Sequence, residues 1–139
     1  MKYYATPHRF LRHMPTLPFI YMAVFPMILM DFWVELYHRV CFPFYRIAYV
    51  KRREHIKIDR HKLKYLNIMQ KINCIYCGYA NGLVKYWVKI FAETEAYWCG
   101  IQHEKSENVM EPEHHAGFIP YGDEKAYRET YANNKTNKF

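Results

Sequence analysis

The sequence contains few of the short motifs that mark common enzyme active sites. Only five of its 139 residues are glycine, and no glycine-rich run resembles a loop that cradles phosphate groups. The chain also has no G-x-S-x-G nucleophile motif and no H-E-x-x-H zinc-protease motif. These absences argue against the P-loop, α/β-hydrolase and zincin classes of enzyme, and the sequence predicts no evident substrate pocket.

Cysteine is also scarce, and its distribution argues against a secreted disulfide scaffold. Of the four cysteines, Cys41 lies alone in an apolar stretch, while the other three fall between residues 74 and 99. We therefore expect a reducing compartment in which free thiolates can bind a metal. No cleavable signal peptide is expected, because the apolar stretch begins only at Leu17 and lacks a cleavage site made of small residues.

Positive charge is concentrated in one part of the chain. The formal net charge is +7, and the stretch from Arg46 to Lys71 alone holds nine Lys and Arg residues against two acidic ones. Such a block predicts a local anionic partner, either lipid headgroups or nucleic acid. The adjacent apolar segment favours membrane lipid over nucleic acid.

Charge is absent from residues 17–30, and the whole segment 17–45 is rich in apolar and aromatic side chains. Extended far enough to span a bilayer, which takes about 20 residues, this segment includes four ionisable positions. They are Asp31, Glu35, His38 and Arg39. The segment is therefore a spanning helix packed against partner subunits, a re-entrant or interfacial helix, or the core helix of a soluble protein. The following order of aromatic and then basic residues is typical of a cytoplasmic membrane boundary.

Three ionisable residues of this segment fall on one face of the predicted helix. Asp31, Glu35 and His38 are spaced at i, i+4 and i+7. Glu35-x-x-His38 also matches half of the motif that binds metal in di-iron helical bundles. The favoured interpretation is a polar stripe that faces a partner or forms internal ion pairs.

Three further local signals predict where helices begin, bend and end. Pro26 predicts a kink in the first helix. Asp59 predicts the N-terminal cap of an amphipathic helix over residues 60–72. Residues 82–98 predict a helix that is apolar except for one polar stripe. That stripe consists of Lys85, Lys89 and Glu93.

The C-terminal part of the chain has a different, polar character. From Glu104 onward the sequence predicts a loop, with one helix from Asp123 to Tyr131. The neighbouring His114 and His115 are expected to be exposed in that loop, where metal capture is a minor role.

One group of residues has the composition of a metal site. It comprises Cys74, Cys77, Cys99 and His103. Thiolate and imidazole are ligands that zinc and iron prefer, and C-x2-C is the commonest spacing for binding one ion from a single turn. Gly78 follows the second cysteine, where such a turn often needs a positive φ. A fully ligated Cys3His ion has no open coordination position, so zinc in a structural role is expected, with iron for electron transfer as the alternative.

Parts of this pattern resemble known families. The C-x2-C-G-Y sequence at Cys74 resembles the knuckle of rubredoxins and zinc ribbons, and Trp98-Cys99-Gly100 resembles the second rubredoxin knuckle. The whole pattern of cysteines, tyrosines and histidine is similar to a group of small uncharacterised bacterial proteins. C-I-Y-C before a helix also resembles the glutaredoxin dithiol, which would imply a thiolate stabilised by the helix N-terminus.

The length of the helix predicted between the two halves of the metal site sets a geometric condition. An unbroken helix over residues 82–98 is about 25 Å long at 1.5 Å per residue, whereas all ligands lie within about 2.3 Å of one ion. The helix is then short or bent, or two antiparallel copies share sites in a homodimer, or the two pairs serve different purposes. A single intramolecular site is favoured.

The sequence thus predicts a mainly α protein with a membrane-associated N-terminal helix and a small helical domain organised around a Cys3His metal site. The expected segments are a basic arm at 1–16, the membrane-associated helix at 17–45, a basic collar with an amphipathic helix at 46–71, the metal-binding element at 72–103 and a polar tail at 104–139. The expected function is that of an accessory or assembly subunit of a larger membrane complex. It would act at the bacterial inner membrane with its metal on the cytoplasmic side. A membrane-tethered iron electron carrier and a CxxC dithiol oxidoreductase are the alternatives.

Overall fold

The structure, a computed structural model, describes residues 8–133 and is mainly helical, as predicted. The six α-helices of the described residues are α1 (Arg9–His13), α2 (Leu17–Met22), α3 (Val24–Tyr45), α4 (Arg52–His55), α5 (Ile68–Trp98) and α6 (Glu124–Asn133). Short 3-10 helices cover Met14–Thr16, Arg60–Lys62 and Glu113–Gly117. The chain divides into two compact units, one ending at Trp87 and one beginning at Val88. The predicted segment boundaries differ from this division and stay predictions.

The N-terminal region is more regular than the sequence suggested. The predicted irregular arm over residues 1–16 is wrong for its described part, which forms α1 and a 3-10 helix. The predicted kink at Pro26 takes the form of an interruption at Ala23, between α2 and α3. Pro26 has no N–H to donate to the carbonyl of Met22, so the helix restarts with the proline in its first turn, where no donor is needed.

In the first unit, α3 and the part of α5 up to Trp87 run in the same direction. Tyr21 packs against Tyr76 with a ring-centroid distance of 5.8 Å, and further along Glu35 accepts a 2.8 Å hydrogen bond from Tyr86. A parallel pair of helices requires a connection that returns along their length. Residues 47–67, called here the basic strap, form that connection.

The basic strap lies against both helices. Near its start, the backbone N–H of Val50 donates to His38 Nε2 at 3.1 Å. Further along, Arg52 makes two 2.5 Å hydrogen bonds to the carboxylate of Asp31. Its next residues pass close to the backbone of α5 at Gly78 and Gly82. The strap therefore follows α3 back toward its N-terminal end.

The predicted helix over residues 60–72 is wrong. Only Arg60–Lys62 form a 3-10 turn, Asp59 makes no side-chain cap, and α5 begins at Ile68. The true cap is reciprocal: Asn67 Oδ1 accepts from Gln70 N at 2.8 Å, and Gln70 Oε1 accepts from Asn67 N at 3.0 Å. This capping box satisfies the backbone N–H groups of Asn67 and Gln70 at the start of α5.

The predicted turn at the C-x2-C sequence is also wrong, because α5 continues through it. Gly78 does not have a positive φ, and its missing side chain instead allows a close approach of the basic strap. A Cβ at Gly82 would lie 2.8 Å from Ile56 Cα and 2.9 Å from the carbonyl oxygen of His55. A Cβ at Gly78 would lie 3.0 Å from the carbonyl oxygen of Lys57. The two glycines, one helical turn apart, are thus where the strap backbone meets α5.

Gly82→Ala is expected to destabilise the protein by about 1–3 kcal/mol, although alanine favours helix by up to about 1 kcal/mol. The reason is the backbone of the strap, which cannot move away as a flexible side chain can. Chemical denaturation measures the free energy of unfolding. The matched control is Asn81→Ala at the neighbouring exposed position, expected to change it by less than about 0.5 kcal/mol. Equal stability of the two variants would refute the close approach.

Candidate functional site

In the first unit, the acidic residues of α3 are paired internally. Asp31 is engaged by both guanidinium nitrogens of Arg52 and accepts a 3.1 Å hydrogen bond from the Tyr79 hydroxyl. The hydrogen bonds to Asp31 raise the pKa of Arg52 above its ordinary value. Arg52 also lies 5.6 Å from the centre of the Tyr86 ring. This half-buried pair holds a basic residue of the strap against the apolar helix.

His38 is fully buried, and both of its ring nitrogens have partners. Nε2 accepts from the backbone N–H of Val50 at 3.1 Å, so this nitrogen carries the lone pair and Nδ1 carries the hydrogen. Nδ1 then donates to the Tyr86 hydroxyl oxygen at 2.9 Å, and that hydroxyl donates to Glu35 Oε2 at 2.8 Å. The tautomer follows from this chain of bonds.

The predicted polar stripe is therefore paired internally within the first unit, as one of its two interpretations expected. Glu35-x-x-His38 does not act as half of a di-iron site, because His38 has no lone pair left for a metal. Burial, and after it the hydrogen bond to Glu35, raises the pKa of Tyr86 above its ordinary value. The Tyr86 hydroxyl thus remains a neutral donor in this network.

Tyr86→Phe is expected to cost about 1–3 kcal/mol of stability, because it leaves Glu35 and His38 each without a buried partner. Tyr49→Phe is the matched control. It removes a 3.1 Å hydrogen bond to the same carboxylate, but Tyr49 is 49% exposed, so water replaces its hydroxyl. Urea denaturation of both variants checks this. A loss as large for Tyr49→Phe as for Tyr86→Phe would contradict the network.

The second unit brings distant residues together after the end of α5. Gly100, with a φ of +60°, ends the helix, and its N–H donates to the Glu95 carbonyl at 3.1 Å. Ile101 then forms a parallel bridge with Ile119, through Gln102 N to Ile119 O and Ile119 N to Gly100 O, both 2.8 Å. The bridge returns the chain, so that the 3-10 helix Glu113–Gly117 lies beside the last turn of α5.

Glu95 is at the centre of the resulting cluster. Its Oε2 lies 2.8 Å from His114 Nε2, and its Oε1 lies 3.1 Å from His115 Nε2. The rings of His103 and His115 are 5.2 Å apart, and ligand atoms of Glu95, His103 and His115 all lie within 4.8 Å of one another. The predicted exposure of the histidine pair is wrong for His115, which is fully buried and stacked on Phe118.

The residues predicted to form a Cys3His site fall in both units. Cys74 and Cys77 are inside α5 in the first unit, and Cys99 and His103 belong to the second. In the part of the chain that the structure describes, the grouping of metal ligands includes His103 but no cysteine. The Cys3His site therefore stays a prediction.

The glutaredoxin-like interpretation depends on a premise that the structure contradicts. Cys74 is the seventh residue of α5 and does not precede the helix. The positive end of the helix dipole acts within the first turn, so it does not stabilise a thiolate at this position.

Sequence reasoning missed the role of Glu95 and His115. The sequence predicts no role for Glu95, and it places His114 and His115 in an exposed loop. The sequence did contain one signal for this cluster. Gly100, a residue type that often ends helices, separates Glu95 from three histidines that follow within twenty residues of Glu95.

Comparison with models of known protein families, with curated proteins and with solved structures gave no match to this chain.

The Glu95 carboxylate makes the folded second unit sensitive to acid. The hydrogen bond from His114, and after it that from His115, holds the pKa of Glu95 below its ordinary value of 4.5. A carboxyl whose pKa is lower in the folded state stabilises that state above pH 4.5, and this contribution disappears as the pH falls through the folded-state pKa.

We expect hydrogen exchange of the Gln102 and Ile119 amides, corrected for intrinsic rates, to accelerate below about pH 4.5 in metal-free protein. Glu95→Gln should remove this pH dependence and lower protection at neutral pH. Glu93→Gln, which alters an ion pair of the same helix with Lys89, serves as the control and should behave as wild type. A Glu95→Gln protein with the wild-type acid profile would show that this carboxylate is not the titrating group.

Proposed function

We propose that this protein attaches to the surface of a membrane through α2 and α3 and acts there as an accessory subunit of a membrane complex. The observation that carries the proposal is an uncovered surface of apolar side chains, called here the apolar arc. The arc consists of Phe19, Met22, Phe25, Leu29, Phe32, Trp33, Leu36 and Val40, each between 44% and 78% exposed. An exposed apolar surface of this extent marks an interaction site.

The helical stretch that carries the apolar arc has the length and composition of a membrane segment. It runs from Leu11 to Tyr45 and is long and apolar enough to cross a membrane by length and composition, with a mean hydropathy of 1.8 in its most apolar part. Only 6% of that part is buried within the protein. A core helix of a soluble protein would be mostly buried, so contact with lipid or with a partner explains the segment better.

The position of the basic strap favours lying on the membrane over crossing it. Arg52 pairs with Asp31, and α5 begins after the strap and packs against Tyr21 through Tyr76. The strap therefore accompanies α3 along the stretch that a bilayer would enclose. Its exposed charged side chains include Arg53, Lys57, Arg60, Lys62 and Lys64. Non-helical backbone and exposed charges in hydrocarbon cost several kcal/mol per group, on the order of the whole stability of a domain.

The apolar arc and the basic strap together suit a membrane interface, where the arc can contact lipid tails and the strap can contact headgroups. Leu29 and Trp33 are each two residues from Asp31, which places them roughly opposite the strap at about 100° per residue. The apolar arc can thus enter the acyl boundary while the basic residues remain near phosphate and water. Each Lys or Arg near an anionic surface contributes about 1 kcal/mol. Membrane lipid with anionic headgroups is accordingly the proposed partner.

The accessory role rests on the same surface. Most of the apolar arc is aromatic or long-chained, and side chains of that kind also serve as anchors between subunits. Asp31 and Glu35 border this surface and are paired within the first unit. The proposed location is the inner membrane of a bacterium, with the thiols in the reducing cytoplasm. The Cys3His site, with structural zinc or with iron for electron transfer, and its homodimeric variant belong to this proposal as predictions.

Flotation with vesicles of defined composition tests the attachment. The full chain, freed of detergent, is expected to float with vesicles containing anionic phosphatidylglycerol and less with neutral phosphatidylcholine. The Phe25 side chain is 78% exposed in the protein and would enter the lipid on binding. Phe25→Asp should therefore reduce binding about tenfold or more, because it places a charge in the lipid instead of a phenyl group. Met110→Asp is the matched control at another exposed apolar position, and it should bind as wild type. Unchanged flotation of Phe25→Asp would remove the arc as the attachment site.

Labelling distinguishes an interfacial from a spanning orientation. Thr16→Cys and Ala48→Cys, at exposed positions beyond the two ends of the α2–α3 stretch, are introduced singly into a background in which all four native cysteines are serine. An impermeant maleimide added outside vesicles should label both positions if the helix lies on the surface. Labelling of one position only, with the other reached after the vesicles are opened, would show that the helix crosses the bilayer.

A further inference from the structure

We propose that Glu95, His103 and His115 bind one divalent transition-metal ion, Zn²⁺ or Fe²⁺, without any thiolate ligand. The site lies wholly in the second unit and does not depend on the proposed membrane attachment. Two imidazoles and one carboxylate form a donor set that both ions use in proteins, with further coordination positions left for water or substrate.

The separations between the ligand atoms suit one ion. Ligand atoms of the three residues lie within 4.8 Å of one another. His115 Nε2 is 3.1 Å from Glu95 Oε1, close to the spacing of roughly 3 Å between neighbouring ligands that are each about 2.0–2.2 Å from the same metal. Small side-chain rotations are therefore enough to place all three donors around one centre.

The ligands are supported by elements that fix them before any ion binds. Glu95 is held on the last turn of α5, and the bridge between Ile101 and Ile119 places His103 beside the 3-10 helix. Gln102 Nε2 donates to the carbonyl of His115 at 3.0 Å. His114 contacts the other carboxylate oxygen of Glu95, as outer-shell partners of metal ligands do.

A buried atom without a partner points independently to a ligand. His115 is fully buried, and among the described residues its Nδ1 has no hydrogen-bond partner. A carboxylate only accepts hydrogen bonds, so the hydrogen of neutral His115 is on Nε2 and the Nδ1 lone pair is left over. Leaving such an atom unmatched costs about 1–3 kcal/mol. An ion bound directly at Nδ1 would give this orphaned lone pair a partner, and Nε2 would keep its hydrogen bond to Glu95.

The proposed site differs from a structural Cys3His site in accessibility. His103 is exposed, and Glu95 and His114 are half-buried, so one side of the cluster meets solvent. Three protein donors leave coordination positions that a bound water can occupy. The two proposals compete for His103, so one ion cannot satisfy both.

Cobalt(II) distinguishes the two donor sets in one titration. Co²⁺ substitutes for Zn²⁺, and thiolate ligands give it intense charge-transfer absorption in the near ultraviolet, whereas nitrogen and oxygen ligands do not. Metal-free, detergent-solubilised full chain is titrated with Co²⁺, followed by Zn²⁺ competition. The expected result is one ion per chain with visible d–d bands and no thiolate absorption.

Variants assign the ligands. His103→Gln changes an exposed side chain, and Glu95→Gln preserves side-chain size; each is expected to weaken Co²⁺ binding about 100-fold or more. Circular dichroism of the metal-free proteins shows whether they remain folded. His13→Gln, an exposed histidine of the first unit, and Cys74→Ser/Cys77→Ser should both bind as wild type. Thiolate absorption that disappears in the cysteine variant would overturn the proposal in favour of the Cys3His site, and wild-type affinity of folded Glu95→Gln would also overturn it.

Discussion

The ion pair between Arg52 and Asp31 is the interaction on which the first unit depends. A carboxylate in the middle of an apolar helix is costly unless a positive charge neutralises it. Arg52 supplies that charge from the basic strap, and in doing so draws a stretch of lysines and arginines along the helix. Around this pair, Tyr79 donates to Asp31, and His38 and Tyr86 connect Glu35 to the strap backbone at Val50. The acidic groups of α3 are thereby held on the side that faces the strap and α5, and the other side of α3 is apolar.

This separation changes the meaning of the hydropathy of residues 17–45. A hydropathy average over a run of apolar residues treats all sides of the helix as if they faced the same environment. Here the same helix packs against the basic strap and α5 on one side, while the apolar arc on its other side is exposed in the part of the chain that the structure describes. The strap thus turns a segment long enough to cross a bilayer into a two-sided element whose composition fits the boundary between headgroups and acyl chains.

The sequence was a good guide for several features whose deciding residues are neighbours in the chain. The mainly helical fold, the shared face of Asp31, Glu35 and His38, and the helix near Asp123 follow from local spacing, and the structure confirms them. Gly78 and Gly82 show the opposite case. Gly78 was predicted to lie in a turn because glycine permits positive φ, whereas both glycines admit a segment twenty or more residues earlier. Nothing local separates those two uses of glycine, because the partner is distant in sequence.

The candidate metal centre shows the same limit in chemical terms. Cysteine spacing attracts notice because thiolates are rare and strong ligands, but helical continuity through Cys74 and Cys77 leaves that pair without the turn on which the analogy relied. Histidine and glutamate are common residues, so their spacing in a sequence gives little indication of a metal site. Here they lie close together because Gly100 ends α5 and Ile119 pairs with Ile101. Which donors lie close enough to share an ion is therefore decided by the path of the chain as well as by ligand type. In this chain the geometry favours the carboxylate and imidazoles, since the turn that brings them together is built entirely within one unit.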